Sequence, residues 1–542
     1  MQGLMQDWPL LVSSVLEFAN SNHPEQEVVS RSCEGPIHRY TYKDLYSRAK
    51  RCAKALRKLG LGEGQVAATL AWNTWRHMEA WYGIMGLGAV CHTLNPRLFP
   101  DQLVYIVNHA EDKYLLLDLT FVPLVEAIAD KCPTIKGFIV LTDREHMPQT
   151  KLKNVLCYEE LIAAEDDDFD WVKVDENAAA GLCYTSGTTG NPKGVVYSHR
   201  SNVLHGMAVN LADAMGLRRV DAIMPIVPMF HANAWGIAFA APMVGAKLVM
   251  PGGKLDGASV HDIINSEGVT ITAAVPTVWL GLLQFLEADK TKRLGKLQRV
   301  IVGGAACPGI VIEKFEKDYG VLVLHGWGMT EMSPMGTIGR LKPKHDELSR
   351  EEQVKLKLKQ GRSIYTVEMK ITDDDGKELP HDGKTFGHLL VRGPSIAKSY
   401  FKGEGGQILD DQDYFDTGDV ATIDQDGFMQ ITDRAKDVIK SGGEWISSIE
   451  VENVAVGHPA VAEAAVIGLP HDKWGERPLL IVVKKPNAGE LTREDMLKFL
   501  EGKIAKWWMP DDVVFSEAIP HTATGKIQKR DLRTTYKDHQ LK

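Results

Sequence analysis

Residues 184–194 read YTSGTTGNPKG, a single loop that combines hydroxyl side chains, permissive glycines and one lysine. Glycines such as Gly187 let successive backbone N–H groups converge on an anion. The hydroxyl groups that follow the first tyrosine add donors that can rotate toward the same anion, and they belong to Thr185, Ser186, Thr188 and Thr189. Lys193 adds a positive charge. The loop therefore predicts phosphate binding, with a flexible linker as the alternative.

The loop differs from a Walker phosphate loop, which needs Gly-x4-Gly-Lys-Ser/Thr leading into a helix. Pro192 lies within the turn, and Gly194 leads into an apolar run instead of a helix. The pattern therefore argues against a phosphotransferase of the Walker type, whose product would be ADP.

Length and composition describe a globular chain with more than one domain. Its 542 residues exceed what one hydrophobic core usually serves. With 44% hydrophobic residues the chain is too apolar for general disorder. A formal net charge of -9 argues against nucleic acid or an anionic membrane as the main partner, so small-molecule ligands are expected.

Cysteine usage and the first residues bear on the compartment. The seven cysteines show no metal-ligand spacing, and their odd number leaves at least one unpaired, which favours a reducing compartment. The chain opens with no basic segment followed by a long apolar one, so no signal peptide is evident. We expect a cytoplasmic protein without membrane insertion.

Helix-like and strand-like segments alternate along most of the chain, which predicts an α/β architecture. The run 41–44, Thr-Tyr-Lys-Asp, reads as a capping box that opens a helix ending at Gly60. Buried strands are predicted at 66–72, 114–117, 137–141, 269–275 and 299–302. Beyond about residue 360, turn signals at 373–376 and 424–427 predict the hairpins of a small β subdomain.

Further motifs follow the loop in a fixed order. They read PMFHANAW at 228–235, GWGMTE at 326–331, YFDTGD at 414–419, DRAKD at 433–437 and TGKI at 524–527. Together with the loop, they resemble the adenylate-forming enzymes, the superfamily of acyl-CoA synthetases, luciferases and peptide-synthetase adenylation domains. The resemblance spans essentially the whole chain.

The resemblance implies a two-domain α/β fold. Residues 1–433 would form a large N-terminal domain of two α/β subdomains plus a small β-barrel-like subdomain at about 360–433. Residues 434–542 would form a small, mobile α+β C-terminal domain, with its hinge at Lys436.

The resemblance also implies a reaction, in which ATP activates a carboxylic acid and coenzyme A then takes the acyl group. A carboxylate that approaches an α-phosphate meets electrostatic repulsion, which cations must offset. By resemblance, Glu331 holds Mg²⁺, and Lys526 bridges the carboxylate and the α-phosphate. Thr185 and His231 complete the catalytic set.

The resemblance places the two nucleotide substrates on a larger set of residues. ATP would be held by the loop residues Thr185, Ser186, Gly187, Thr188, Thr189 and Lys193, by Gly303, Gly304, Ala305 and Ala306, by His325, Gly326, Trp327, Gly328, Met329 and Thr330, and by Asp419, Ile431 and Arg434. Coenzyme A would contact Lys440, Ser441, Gly442, Gly443, Glu444 and Trp445. Trp327 stands where the family usually has a tyrosine, which preserves an aromatic face and loses a phenol. For Gly442 and Gly443 the alternative is a plain hairpin turn.

The acyl pocket should be lined by residues 230–235, His231 and Trp235 above all, together with Gly328, Met329 and Pro334. His231 stands where amino-acid activators carry a carboxylate, so an amino-acid substrate is disfavoured. The bulk of Trp235 favours short or medium chains, with plain core packing as the alternative.

Segments at 69–73, 94–99 and 443–447 resemble the medium-chain acyl-CoA ligases and, among them, the 3-methylmercaptopropionyl-CoA ligases of marine sulfur metabolism (DMSP degradation). The implied acid is 3-methylmercaptopropionate or a similar short or medium-chain acid. A general medium-chain fatty acid:CoA ligase is one alternative. A non-catalytic nucleotide-binding protein is another, opposed by the presence of Lys526, Glu331 and Asp419. A homodimer is expected.

Overall fold

A computed structural model describes residues 1–185, 191–435, 437–441, 444–486, 488–521 and 527–541, without the side chains of Glu444 and Trp445. Several predictions made from the sequence lie outside these ranges. They concern Ser186, Gly187, Thr188, Thr189, Lys436, Gly442, Gly443 and Lys526.

The strands of the described chain are β1 (Glu27–Arg31), β2 (Ile37–Thr41), β3 (Val66–Leu70), β4 (Val90–Thr93), β5 (Tyr114–Leu117), β6 (Gly137–Val140), β7 (Val155–Cys157), β8 (Ala179–Tyr184), β9 (Gly194–Ser198), β10 (Ala222–Pro225), β11 (Lys247–Met250), β12 (Ile271–Ala274), β13 (Arg299–Val302), β14 (Leu322–Gly328), β15 (Met335–Ile338), β16 (Arg362–Ser363), β17 (Glu368–Thr372), β18 (Gly387–Arg392), β19 (Phe415–Ile423), β20 (Met429–Arg434), β21 (Ile439–Ser441), β22 (Glu444–Ile446), β23 (Val461–His471), β24 (Gly475–Lys484) and β25 (Asp512–Phe515).

The helices are α1 (Val12–Asn22), α2 (Tyr42–Lys58), α3 (Trp75–Gly86), α4 (Pro100–Ala110), α5 (Val122–Ile128), α6 (Tyr158–Ala163), α7 (His199–Val209), the single turn α8 (Ala232–Trp235), α9 (Ile237–Val244), α10 (Gly257–Ser266), α11 (Pro276–Glu287), α12 (Gly309–Asp318), α13 (Arg350–Leu358), α14 (Ser448–Val456), α15 (Arg493–Leu500) and α16 (Lys529–Thr535). None of the helices in the described ranges is long and apolar enough to cross a bilayer.

Two large sheets dominate the N-terminal part of the chain. One has seven strands in the order β7-β6-β5-β3-β4-β8-β9, parallel except for β9. The other has nine strands in the order β16-β15-β14-β13-β12-β10-β11-β1-β2, with a parallel centre and antiparallel edges. The predicted α/β architecture is confirmed.

Helices cover both faces of both sheets, because successive side chains of a strand point to opposite faces and nearly all are apolar. In β12, Ala273 faces the core between the sheets, whereas Ala274 faces the outer layer. The central layer includes α1, α2, α3 and α9. The outer layers are α4 and α5 on one side and α10, α11 and α12 on the other. The result is five alternating layers of helix and sheet.

Helix α2 begins where the sequence predicted, since Thr41 and Asp44 form a reciprocal capping box. Strand β3 ends at Leu70, two residues short of the predicted 66–72. The chain leaves the sheet there because the Trp72 N–H donates to the Asp118 carboxylate at 2.7 Å. The other predicted strands form within their expected ranges.

Two smaller sheets follow. Strands β17 to β20 form a four-stranded antiparallel sheet, as the turn signals beyond residue 360 predicted. The turn 424–427 joins β19 to β20. The last sheet runs β22-β21-β24-β23, with β25 parallel to β24. Its two faces pack against α14 and α15 on one side and against α16 on the other.

A buried acid ties three helices of the N-terminal part together. Glu79 of α3 accepts hydrogen bonds from Arg48 Nε at 2.7 Å and from the Tyr158 hydroxyl at 2.9 Å. Glu79→Ala removes an acceptor from both, so we expect the free energy of unfolding to fall by about 3 kcal/mol in urea titrations. The exposed pair Glu351–Lys355 is a matched control, because Glu351→Ala should cost less than about 1 kcal/mol. Equal losses in the two variants would contradict the prediction.

Candidate active site

A cavity of about 150 Å³ opens at the carboxyl ends of strands from both large sheets. Ligands commonly bind at this edge of α/β sheets, where strands end and loops begin. Of the residues predicted for the site, those that line it are Thr185, His231, Trp235, Gly303, Gly304, Gly326, Trp327, Gly328, Met329, Thr330 and Pro334. One concave site thus gathers residues from three of the sequence motifs, together with Gly303, Gly304 and Pro334.

Other lining residues were not foreseen. They are Thr93, Asn95, Leu98, Ile106, Tyr184, Val227, Val275, Ile301 and Met335, whereas Phe230 and Ala232 line the cavity within the predicted stretch 230–235. Most lie at or just beyond the carboxyl end of a parallel strand, and that placement is the sequence signal that could have identified them.

The two ends of the predicted phosphate loop are tied together. The Thr185 N–H donates to the Lys193 carbonyl at 2.9 Å. The Lys193 N–H in turn donates to the Thr185 hydroxyl oxygen at 3.1 Å. Thr185 lines the cavity and the two bonds hold Lys193 beside it, whereas phosphate binding by the loop stays a prediction.

One tyrosine connects that lysine to the predicted metal ligand. The Tyr400 hydroxyl donates to Glu331 Oε1 at 2.7 Å, and Lys193 Nζ lies 4.7 Å from the centre of the Tyr400 ring. Burial and the neighbouring Glu331 carboxylate both raise the pKa of Tyr400, so the phenol keeps its proton. The backbone at Glu331 is also held, because the Thr330 carbonyl accepts from the Tyr197 hydroxyl at 2.7 Å and the Glu331 carbonyl accepts from the Ala397 N–H at 2.7 Å.

A second cluster joins the predicted adenine and ribose contacts. Asp419 is 2% exposed, and its Oδ1 lies 2.9 Å from Arg434 Nε. Its Oδ2 accepts from the Trp327 indole N–H at 3.1 Å. The tryptophan that replaces the usual tyrosine therefore makes a hydrogen bond of its own, to the carboxylate expected to bind ribose. Asp419 and Arg434 face each other across β19 and β20.

Two protein-family models match this chain. The model for AMP-binding enzymes matches residues 16–401, and the model for the AMP-binding enzyme C-terminal domain matches residues 450–526. The chain belongs to the AMP-binding enzymes.

Individual relatives resemble this AMP-binding enzyme over almost its whole length. It is 50% identical over 538 residues to a 3-methylmercaptopropionyl-CoA ligase of Ruegeria lacuscaerulensis, covering 99% of both chains. It is 49% identical over 538 residues to a medium-chain-fatty-acid–CoA ligase of Ectopseudomonas oleovorans, covering 99% of this chain and 98% of the relative. The solved structure of the anthranilate CoA ligase AuaEII with anthranoyl-AMP aligns with a TM-score of 0.84 at 25% identity, covering 98% and 99%. The predicted family resemblance is confirmed.

Trp235 of this AMP-binding enzyme lines the cavity and also packs closely against backbone. A Cβ placed on Gly303 would lie 3.0 Å from the Trp235 ring and 3.2 Å from the Gly326 carbonyl oxygen. Glycine at 303 thus permits the ring to lie against the end of β13. A Cβ on Gly328 would lie 2.0 Å from the Pro334 carbonyl oxygen, so that position also requires glycine.

The segment that carries Trp235 has an unusual backbone. Ala232, Asn233, Ala234 and Trp235 have φ values of 41°, 60°, 51° and 56°, which makes α8 a left-handed turn. For L-residues other than glycine this conformation costs roughly 1–2 kcal/mol each. Asn233 is the member that tolerates it best. The surrounding structure must therefore hold the turn in place.

His325 supports the site from behind the sheet and does not line the cavity. Its Nε2 accepts from the Cys307 N–H at 3.3 Å, and its Nδ1 lies 3.1 Å from the Leu358 carbonyl oxygen. The ring thus joins the loop after β13 to the end of α13. Burial lowers the pKa of His325 to about 4.

Other predicted contacts lie away from the cavity lining. Ala305 and Ala306 follow the lining glycines, and the Ile431 N–H donates to Gln360 Oε1 at 2.6 Å. Lys440 Nζ lies 3.9 Å from Asp374, and the buried Ser441 hydroxyl accepts from Arg477 at 3.3 Å. Strand β22, which contains Glu444 and Trp445, pairs antiparallel with β21.

The buried histidine gives a pH dependence of stability. The unfolded chain protonates His325 near its ordinary pKa of about 6.5, whereas the folded protein does so near 4. The stability contribution is therefore complete above about pH 6.5 and is lost as pH falls toward 4, by at most about 1.4 kcal/mol per pH unit. His325→Gln keeps an acceptor for the Cys307 N–H and removes the titration. We expect the free energy of unfolding, measured by urea denaturation at several pH values between 5 and 6.5, to change less with pH in this variant than in the wild type. An unchanged pH dependence would contradict the assignment.

Proposed function

We propose that this AMP-binding enzyme is an acid:CoA ligase that converts a carboxylic acid, ATP and coenzyme A into acyl-CoA, AMP and pyrophosphate through an acyl-adenylate. The supporting observation is that charged groups border an apolar cavity. Lys193 and Asp419 are bonded to the lining residues Thr185 and Trp327, and Glu331 follows the lining residue Thr330. Trp235 and Met329 belong to the apolar part of the lining.

The polar side suits a nucleotide that transfers its α-phosphate. Lys193 supplies positive charge for the phosphates, and Asp419 supplies carboxylate oxygens beside the Trp327 ring for ribose hydroxyls. Glu331 is the residue that would hold Mg²⁺, because this cation prefers one or two carboxylates together with phosphate oxygens. When bound, Mg²⁺ would offset phosphate charge during attack by the acid carboxylate. Tyr400 would orient the Glu331 carboxylate through its 2.7 Å hydrogen bond.

The apolar side suits a short or medium-chain acid. Val227, Phe230, Trp235, Met329 and Met335 contribute carbon and sulfur atoms to the lining. A methylthio group packs well against such a surface and is nearly the size of a short alkyl tail. We therefore propose 3-methylmercaptopropionate or a similar acid, in agreement with the name of the Ruegeria relative. A general medium-chain fatty acid is the alternative, in agreement with the name of the Ectopseudomonas relative.

The thioester step needs coenzyme A, and we propose that residues 434–542 move about Lys436 to admit it. Polar contacts cross this position. Asp433 accepts from the Ser448 N–H at 3.2 Å, and the Lys529 ammonium lies 3.8 Å from Asp433 and 2.9 Å from Glu452. Lys529 is 8% exposed and is held by these two acids. The family resemblance supports Lys526 as the proposed catalytic lysine. A cytoplasmic homodimer remains our prediction for the assembled protein.

A panel of acids assayed for CoA-dependent AMP release tests the proposal. We expect release with 3-methylmercaptopropionate and with acids of four to eight carbons, and weaker release with amino acids. Discrimination between neighbouring acids should be modest, because one methylene in an apolar pocket is worth about 1–3 kcal/mol. Formation of ADP, or ATP binding without turnover of any acid, would contradict the proposal.

The role of Lys526 is tested by separating the two half-reactions. Lys526→Ala should lower the rate of acyl-adenylate formation by about 10²–10³, since its cation would act in that transition state. Conversion of supplied acyl-adenylate to thioester should be largely retained. Lys537→Ala, which removes an exposed lysine near the same end of the chain, is the control. An equal loss in both half-reactions of Lys526→Ala would refute this role.

A further inference from the structure

The left-handed turn α8 is held by side chains that lie outside the cavity. Asn233 Nδ2 donates to Asn202 Oδ1 at 3.1 Å, and both side chains are 1% exposed. Asn202 belongs to α7, three residues before His205 on the same helix face. Neither Asn202 nor His205 lines the cavity.

His205 contacts the end of the turn and a residue of the cavity lining. Its Nε2 accepts from the Met335 N–H at 3.0 Å, and Met335 lines the cavity. Its ring also fills the space beside Gly236, where a Cβ would lie 2.5 Å from Nδ1. Gly236 has a φ of 79° and continues the left-handed path of the turn. Because His205 is 2% exposed, water cannot replace the contacts that its ring makes.

A third buried group lies under the beginning of the turn. The Cys183 side chain contacts the Thr93 hydroxyl at 3.2 Å and is 2% exposed. Burial raises the pKa of Cys183, and hydrogen bonds from Thr93 and from the backbone of Ala232 and Asn233 oppose that rise. The turn is thus contacted from β8 and from α7, on the side that faces away from the cavity.

The consequence concerns the ring that the turn carries. With four left-handed residues in succession, Trp235 is delivered against Gly303 and Gly304 at the end of β13. A turn released from its anchors would relax to right-handed or extended backbone, because those conformations are cheaper for alanine and tryptophan. The ring would then leave the end of β13, and the pocket beside it would lengthen.

We propose that Asn202 and His205 are positioning residues that set the length of acid accepted, by holding the left-handed turn and therefore the Trp235 ring. The proposal rests on the proposed function, because it assumes that the apolar half of the cavity receives the acid. It adds that specificity depends on polar side chains that no acid touches.

The test compares the acid profile of matched variants. Asn202→Ala and His205→Ala should raise the ratio of kcat/KM for octanoate over butyrate by at least about tenfold, as should Trp235→Ala. KM for ATP should stay near the wild-type value. His205→Gln retains an acceptor for the Met335 N–H and should restore the profile toward wild type.

Controls separate positioning from loss of folding. Asn210→Ala removes a hydrogen bond to the Ala240 carbonyl at 2.9 Å from the end of the same helix, away from the turn, and should leave the profile unchanged. Asn233→Gly breaks the bond to Asn202 while accepting the left-handed backbone. It should shift the profile even where Asn202→Ala does not fold.

The outcomes distinguish the two proposals. A shifted profile in Trp235→Ala with an unchanged one in folded Asn202→Ala, Asn233→Gly and His205→Ala overturns the positioning role alone. An unchanged profile in Trp235→Ala overturns the positioning role and leaves the ligase reaction standing. A wild-type protein that turns over no acid overturns both. Hydrogen exchange in peptides covering 231–236 gives a readout without catalysis: protection equal to wild type in Asn202→Ala and His205→Ala overturns the anchoring.

Discussion

Burial of both faces of every central strand is the constraint on which the rest of the molecule depends. A parallel sheet that is covered by helices on each side favours apolar side chains along its length. Ligand-facing polar groups therefore lie mainly at the strand ends, and the buried polar side chains within strands, such as His92 and His325, have hydrogen-bond partners. The carboxyl ends of β8, β10, β13 and β14 converge on one cavity, so residues far apart in the sequence become neighbours. The position of the site therefore follows from the arrangement of helix and sheet layers.

Beside the cavity, hydrogen bonds hold two carboxylates in fixed orientations. Asp419 and Glu331 are 2% and 7% exposed, and an isolated buried carboxylate would be costly. Arg434 and Trp327 satisfy the first, and Tyr400 donates to the second. These bonds fix the carboxylate orientations before any ligand arrives. Such preorganisation is the main way in which proteins stabilise charge during phosphoryl and acyl transfer.

Local signals were sufficient for much of the fold. The capping box of α2 fixed its first residue, and the apolar runs located the strands because their flanks carry turn residues. Strand ends were less accurate, since β3 stops where Trp72 bonds to Asp118, a contact 46 residues away in sequence. The motifs identified about half of the lining. The partner of Trp327 could not be inferred, because it depends on the register of two later strands.

The left-handed turn was beyond any local rule. Asn233 is the one residue of 232–235 that favours such a backbone, and the anchors Asn202, His205 and Cys183 lie on other elements. His325 is a case in which position in the sequence was a poor guide. It lies next to the motif 326–331 and was therefore predicted to contact the nucleotide, whereas its ring bonds the Cys307 N–H and lies near the Leu358 carbonyl behind the sheet.

Two adjacent residues of strand β20 contact different parts of the chain. Arg434, its last residue, forms an ion pair with Asp419, and Asp433 accepts a hydrogen bond from the Ser448 N–H and lies near the Lys529 ammonium. Under the proposed function, adjacent residues of one strand would serve the ribose contacts and the connection to residues 434–542. Nucleotide binding and domain movement would then be linked equilibria: a nucleotide that favours one domain orientation must itself bind more tightly in that orientation, by the same factor. Asp433 and Arg434 would couple the two equilibria within a single strand.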